Sequence, residues 1–294
     1  MQKSDESLVY IVLVNYHTES DTIECIQSMR EKLTYKNYRV VVVDNSKDEK
    51  SFNILKAADL GDTILIKSEQ NNGFAAGCNI GIVEAQKDKA DYVLLLNNDT
   101  IIKSNDLIEQ LLTAFKTGKV GMTGGKIFYY DYPEDVWYAG GYVSKIRLRA
   151  KNRVNIEGIV NTPFITGCMQ MIKMSVIEQI GLMNEDYFLC YEDNDYCERI
   201  HKAGYQTVYN ADAQIYHKCS KSNPPSSPTS IYYSNRARYI YMKRFHSGNK
   251  LALMDFWVEL YIKKLFYKGE RKEAIQKVFR VIREGLDYGI TESR

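Results

Sequence analysis

The run Leu94-Leu95-Leu96-Asn97-Asn98-Asp99 places a carboxylate directly after an apolar segment. Three leucines after Tyr92-Val93 read as a strand buried on both faces. Ligands of open α/β sheets bind at the carboxyl ends of strands, and a carboxylate there can hold a hard divalent cation through oxygen. Asp99 is therefore a candidate metal ligand. The alternative is that Asn98-Asp99-Thr100 is only a turn into a helix. Far downstream, Glu192-Asp193-Asn194-Asp195 opens a helix running through Arg199. Acids at a helix N-terminus are stabilised by the macrodipole, so capping alone is one reading of them. Beside Tyr187, Phe188 and Tyr191, however, like charge and partial desolvation raise a carboxylate pKa toward the working range of a general base. His217 ends the strand-like Ala213-Gln-Ile-Tyr216, directly before the breaker-rich run 221–230, where a ligand-closing lid would begin.

The elements that must position these residues alternate. Val9–Val14, Arg39–Asp44, Ile64–Ile66 and Tyr92–Leu96 read as strands, with helical patterns over about 20–32, around Phe52 and Leu55, and over Phe74–Gln86. This alternation predicts a parallel sheet flanked by helices on both faces. Its strands end in Asn15-Tyr16, Asp44-Asn45-Ser46 and Asn97-Asn98-Asp99, all along one edge. Between them, Asn71-Asn72-Gly73-Phe74 starts a helix at Gly73, and Gly77 and Gly81 let that helix pack closely. Neither G-x-G-x-x-G nor a G-x-x-x-x-G-K-[ST] loop is present, although a helix N-terminus near a metal suits a diphosphate. After Val120 the pattern loosens into expected strands at Lys126–Tyr130, Tyr138–Val143 and Val154–Val160 and short helices at Ser175–Ile180 and Asp193–Lys202.

Two closing helices are expected. Met254, Trp257, Val258, Tyr261 and Leu265 form one stripe, and Ile275, Val278, Phe279, Ile282 and Leu286 another. Both stripes read as packing on the body or on a second subunit. The basic residues between them, Lys263, Lys264, Lys268, Arg271 and Lys272, read as contacts with an anionic inner membrane surface.

Composition sets the class. The chain has 294 residues, 45% hydrophobic and 26% charged, as in an ordinary globular protein. Residues 221–294 hold 15 Lys and Arg against 7 Asp and Glu, a net +8, which leaves −6 on the first 220. The six scattered cysteines read as free thiols in a reducing compartment. The polar start excludes a signal peptide, and no apolar run reaches the ~18 residues needed to span a bilayer. A cytoplasmic protein is expected, peripheral on the inner membrane face.

As an ordered set, Val14-Asn15-Tyr16, Val43-Asp44-Asn45-Ser46, Asn71-Asn72-Gly73-Phe74 to Asn79, Leu96-Asn97-Asn98-Asp99, Thr166-Gly167, Tyr191-Glu192-Asp193-Asn194-Asp195 and His217 resemble the inverting family 2 glycosyltransferases, most closely their bacterial rhamnosyltransferase-like branch. The resemblance covers about residues 8–220. It implies a GT-A fold, a nucleotide-sugar donor and a divalent metal, Mg²⁺ or Mn²⁺. By position it puts Asn15, Tyr16, Asp44, Asn45, Asn72, Gly73, Asn79, Asn97 and Asn98 at the donor nucleotide, with Asp44 reading the base. Asp99 and His217 become metal ligands. Asp193 becomes the catalytic base, with Glu192 beside it. The D-x-D-like motif departs from the pattern at Asn97, which leaves one carboxylate.

The implied organisation is a catalytic domain over 1–220, divided near 125 into nucleotide-sugar and acceptor halves, then a linker or lid at 221–230 and a basic helical extension over 231–294. The branch favours dTDP-L-rhamnose as donor over a UDP-sugar such as UDP-galactofuranose. The acceptor is expected to be a lipid-linked saccharide of cell-surface polysaccharide assembly. Two other classes compete. A nucleotidyltransferase would need a basic residue after strand one, where Asn15, Tyr16 and His17 stand. A non-catalytic binding module would not need the acidic cluster. The basic tail carries no nucleic-acid-binding module.

Overall fold

The computed structural model describes residues 6–219, 224 and 226–284. The first third forms β1 (Val9–Asn15), α1 (Glu19–Lys32), β2 (Tyr38–Asp44), α2 (Glu49–Ala57), β3 (Ile64–Lys67), α3 (Phe74–Lys87) and β4 (Tyr92–Leu96). β1 runs parallel to β2 and β4, and β2 parallel to β3. Val9–Leu13, Val40–Val43 and Val93–Leu96 are buried residue after residue, as strands covered on both faces are. Their carboxyl ends lie along one edge. The two helical glycines act as the sequence predicts. A Cβ at Gly81 would come within 2.2 Å of Val12 Cγ1, and one at Gly77 within 2.8 Å of Val14 Cγ1.

The chain continues through β5 (Thr100–Ile102), α4 (Leu107–Ala114), β6 (Val120–Tyr129), β7 (Val136–Tyr138), β8 (Gly141–Val143), β9 (Ala150–Asn152), β10 (Ile159–Asn161), β11 (Met169–Lys173), α5 (Met174–Ile180), α6 (Glu192–Lys202) and β12 (Gln206–His217). The main sheet has the order β10-β12-β6-β11-β4-β1-β2-β3, with β5 added to β12 and β7 to β6. β11 is antiparallel to both β4 and β6, so the sheet is mixed rather than purely parallel. Asn98-Asp99 turns into a strand, β5, and not into a helix. β5 pairs antiparallel with β12, His217 opposite Thr100, which brings residue 217 beside Asp99.

Three expectations are corrected. The strand expected over Val154–Val160 is reduced to Ile159–Asn161, with Val154 exposed. Tyr138–Val143 is broken at Gly140, whose φ of +80 interrupts the extended backbone. Three helices follow the body, not two: α7 (Pro228–Phe245), α8 (Lys250–Phe266) and α9 (Gly269–Arg283). Ser227 accepts a hydrogen bond from the Ser230 amide at 3.1 Å, and Pro228 sits at the first helical turn. Part of the supposed breaker run is thus a helix start. Residues 221–223 and 225 of that run lie outside the described residues, as does Leu286.

α7, α8 and α9 share a second core with Tyr187 and Leu148, built on Tyr241, Phe256, Leu260, Ile275 and Val278. The α9 stripe packs as expected. Of the expected α8 stripe only Trp257 packs on this core: Met254, Val258, Tyr261 and Leu265 are exposed, because Ala252, Phe256 and Leu260 form the face that docks. Arg238 ties the unit together, donating to Asp255 Oδ2 at 2.9 Å, Glu259 Oε2 at 2.8 Å and the Arg147 carbonyl at 2.9 Å.

Candidate active site

The strand ends converge first through buried amides. Asn15 Nδ2 donates to Asp44 Oδ1 at 2.9 Å and to Ser51 Oγ at 3.1 Å, while its Oδ1 accepts from Thr22 Oγ1 at 2.9 Å. Asn98 Nδ2 lies 2.7 Å from the hydroxyls of Thr18 and Thr22. Asn79 clamps α3 to the 183–185 segment through Met183 and Glu185. Asn15, Asn79 and Asn98 therefore hold the pocket's frame with their own side chains. Asn45 Nδ2 donates to the Gly73 carbonyl at 3.0 Å. Asp44 Oδ2 and Asn45 Oδ1 are buried with no protein partner, two acceptors left for a ligand. Tyr16 is half exposed. Asn72 is exposed just before Gly73.

Asp99 and His217 meet at the end of β4. Asp99 Oδ1 lies 3.1 Å from His217 Nε2, and both side chains are buried. Asn97 Nδ2 lies 3.5 Å from the same nitrogen, and Trp137 stands edge-on to the imidazole at 4.9 Å. Burial alone would push His217 down, but Cys168 and the Asp99 carboxylate outweigh it, and the ring titrates well above the ordinary histidine range. A carboxylate oxygen and an imidazole nitrogen at this spacing suit Mn²⁺ or Mg²⁺. Among the described residues no group of three or more His, Cys, Asp or Glu gathers as a complete cage. Asp99 and His217 are the pair here that could hold such a cation.

Asp193 lies across the cavity at the start of α6. Its Oδ2 accepts from the Gly167 amide at 2.9 Å, and its Oδ1 from both the backbone and side-chain nitrogens of Asn194 at 2.8 Å. Burial raises its pKa, and these donors pull it back. Glu192 has less support, only its own backbone amide. Its Oε2 is buried without a partner, and burial together with the Asp193 charge pushes it up to about 8. Burial thus raises both carboxyls, and the donors around Asp193 oppose that rise. The sequence reading grouped the two; the structure gives them different surroundings. Asp195 faces away, with Arg244 Nε 2.9 Å from its Oδ2, and joins α6 to α7.

One cavity of about 780 Å³ is lined by Asn97, His217, Glu192, Asp193, Thr166 and Gly167 among others. A second, of about 600 Å³, lies at the opposite end of β4 among Lys89, Asp91, Lys173 and Glu178, and has none of these groups. The sequence model of "Glycosyl transferase family 2" matches residues 10–181, more than half of the chain. The chain belongs to that family.

Relatives and solved structures similar to this family 2 glycosyltransferase fit its family and fold. It is 27% identical over 262 residues to a Shigella flexneri protein named dTDP-rhamnosyl transferase RfbF, covering 85% of this chain and 84% of that one. It is 24% identical over 229 residues to O-antigen chain rhamnosyltransferase WbaN of Salmonella anatum, covering 77% and 68%. The fold matches a structure of GalNAc-T7 with UDP, GalNAc and Mn²⁺ at a TM-score of 0.65, 14% identity, 99% of this chain and 58% of that one. It also matches the mannosyltransferase PcManGT of Pyrobaculum calidifontis with GDP-Man and Mn²⁺ at a TM-score of 0.60, 13% identity, 97% and 82%. The fold is the GT-A fold that the sequence resemblance implied.

Sequence reasoning missed several cavity residues. Trp137, Arg149, Asn235, Arg238 and Lys263 line it, but they come from the β7–β9 region and from α7 and α8, which no local motif connects to Asp193. The loop before α6 carried a fainter signal. Cys190 and Tyr191 take left-handed φ values of 70 and 68 directly before the acids, strain of a kind that clusters at functional sites.

Proposed function

We propose that this family 2 glycosyltransferase moves L-rhamnose from dTDP-L-rhamnose, with inversion, to a hydroxyl of a lipid-linked saccharide in bacterial cell-surface polysaccharide synthesis. The observation that carries the chemistry is Asp193, held by Gly167 and Asn194 in one cavity with His217, which is itself paired with Asp99. The donor assignment is supported by the printed names of the Shigella and Salmonella relatives.

The nucleotide is assigned to the strand ends. Asp44 Oδ2 and Asn45 Oδ1, unpartnered and buried, accept from the polar edge of the base, and Tyr16 borders it. Gly73 opens α3, whose N-terminus favours the diphosphate. Asp99 and His217 would hold Mn²⁺ or Mg²⁺, which supplies Lewis-acid stabilisation to the departing diphosphate. Asp193 takes the proton from the acceptor hydroxyl. That oxygen forms its bond to the anomeric carbon as the bond to the diphosphate breaks on the other face, so one displacement inverts the centre. The Gly167 and Asn194 donors favour the charged form of Asp193 and aim it. Burial disfavours a second negative charge on Glu192 beside the base.

The six cysteines are unpaired, as suits action in the cytoplasm, and no helix among the described residues is long and apolar enough to cross a membrane. The deciding experiment is thermal shift with a panel of nucleotide sugars and Mn²⁺, followed by transfer from the sugar that stabilises most. Stabilisation by dTDP-L-rhamnose above the UDP-sugars is expected; preference for a UDP-sugar would replace the donor assignment. Asp193→Asn that transfers at the wild-type rate would remove the base assignment.

A further inference from the structure

Helix α8 has two apolar faces, and the fold uses one. Leu251, Met254, Val258, Tyr261, Ile262 and Leu265 fall on a single stripe of the helix and are 62, 60, 52, 55, 49 and 77% exposed; Phe266, next in sequence, is 76% exposed. Seven of the sixteen exposed large apolar side chains among the described residues thus lie on this one helix, a concentration that marks an interaction surface.

The charges around the stripe are sorted. The two acids of α8, Asp255 and Glu259, turn inward to pair with Arg147, Arg149, Arg238 and Lys263. Lys250, at the start of the helix, and Lys268, Arg271 and Lys272, just past its end, are exposed. Between Lys250 and Lys272 the one exposed acid is Glu270.

We infer that this outer face of α8 docks on an anionic membrane surface, with the apolar stripe in the headgroup boundary and the flanking cations on lipid phosphates. A second copy of the chain is a poorer occupant. A two-fold contact through the stripe brings the same cations to both sides of the seam, whereas anionic headgroups neutralise them. α8 also gives Lys263 to the cavity that holds Asp193, so the docked helix borders the mouth where a lipid-linked acceptor would enter. That last point rests on the transferase reading; the docking surface does not.

The test is co-sedimentation of the full chain with vesicles of phosphatidylcholine alone or mixed with phosphatidylglycerol. Salt-sensitive binding to the mixed vesicles is expected, about tenfold or more above the neutral ones. Val258→Glu with Leu265→Glu, and separately Lys268→Glu with Arg271→Glu, are each expected to lower it about tenfold. Both pairs should leave Mn²⁺-dependent release of nucleoside diphosphate from dTDP-L-rhamnose, measured without vesicles, unchanged. Absent binding, or binding that neither pair weakens, overturns the inference. So does a dimer in solution that Val258→Glu with Leu265→Glu dissociates, which assigns the face to a second copy. Vesicle binding without any cleavage of a sugar nucleotide rejects the transferase reading and leaves the docking surface standing.

Discussion

Two adjacent buried carboxylates, Glu192 and Asp193, have unlike surroundings. Asp193 accepts three hydrogen bonds from Gly167 and Asn194 and Glu192 Oε2 has no partner, a contrast that supports Asp193 as the proposed base. Asp193→Asn should lower kcat by roughly 10²–10⁴-fold with donor affinity kept, measured by steady-state transfer and by thermal shift. Glu192 titrates at about 8, above the ordinary 4.5. The folded state favours its protonated form, so its contribution to stability is full below the unfolded pKa and is lost as pH rises through about 8. Glu192→Gln cannot ionise. It should gain on wild type by about 1–3 kcal/mol between acidic and alkaline pH, read as a Tm difference that widens with pH. Asp99→Ala and His217→Ala should each abolish the added stabilisation that Mn²⁺ gives with the donor bound, measured by thermal shift. Retention of that stabilisation in both variants would place the metal elsewhere.

At the scale of elements, the site depends on loops pressed against helix starts. Gly73 adopts a φ of +96, and a Cβ there would lie 2.2 Å from the Phe188 carbonyl oxygen. The Phe74 amide donates to that same oxygen at 3.0 Å. Gly73→Ala should therefore cost about 1–3 kcal/mol and push the 186–191 segment, which leads into Asp193, away from α3. A lower Tm together with a raised donor KM is expected; a change in neither would mean that the contact yields freely. α7 shows why one element escaped the sequence reading. Its polar and aromatic residues form no clear stripe, and its Ser-Pro start looks like a breaker until Ser227 is seen capping it. The pairing of β5 with β12 was equally hidden, since a three-residue strand carries too little pattern to declare itself.

The whole molecule is two cores joined across the cavity, and a buried ionic network holds the smaller one. Arg238 is almost fully buried and bonds Asp255 and Glu259 together. Arg238→Ala leaves those carboxylates short of a partner and should cost about 3–5 kcal/mol, seen as a lower midpoint in denaturant. Buried in part, Glu259 is nonetheless held down to about 2 by Lys263, Arg149 and Arg238. Its folded pKa lies below the unfolded one, so its contribution is present above about 4.5 and lost as pH falls toward about 2. Glu259→Gln should flatten that acid limb of the stability curve.

Local pattern determined much of this protein. The apolar strands, the helix with Gly77 and Gly81, and the polar strand ends at Asn15, Asp44 and Asp99 each depend on residues within one element, where periodicity and side-chain type suffice. The ordered set of motifs was likewise enough to indicate the family. Tertiary structure alone decided how the surroundings of the two acids differ, because burial and the Gly167 amide come from elsewhere in the chain. It also decided which face of α8 is covered, since two apolar faces of one helix look alike until a partner core chooses between them.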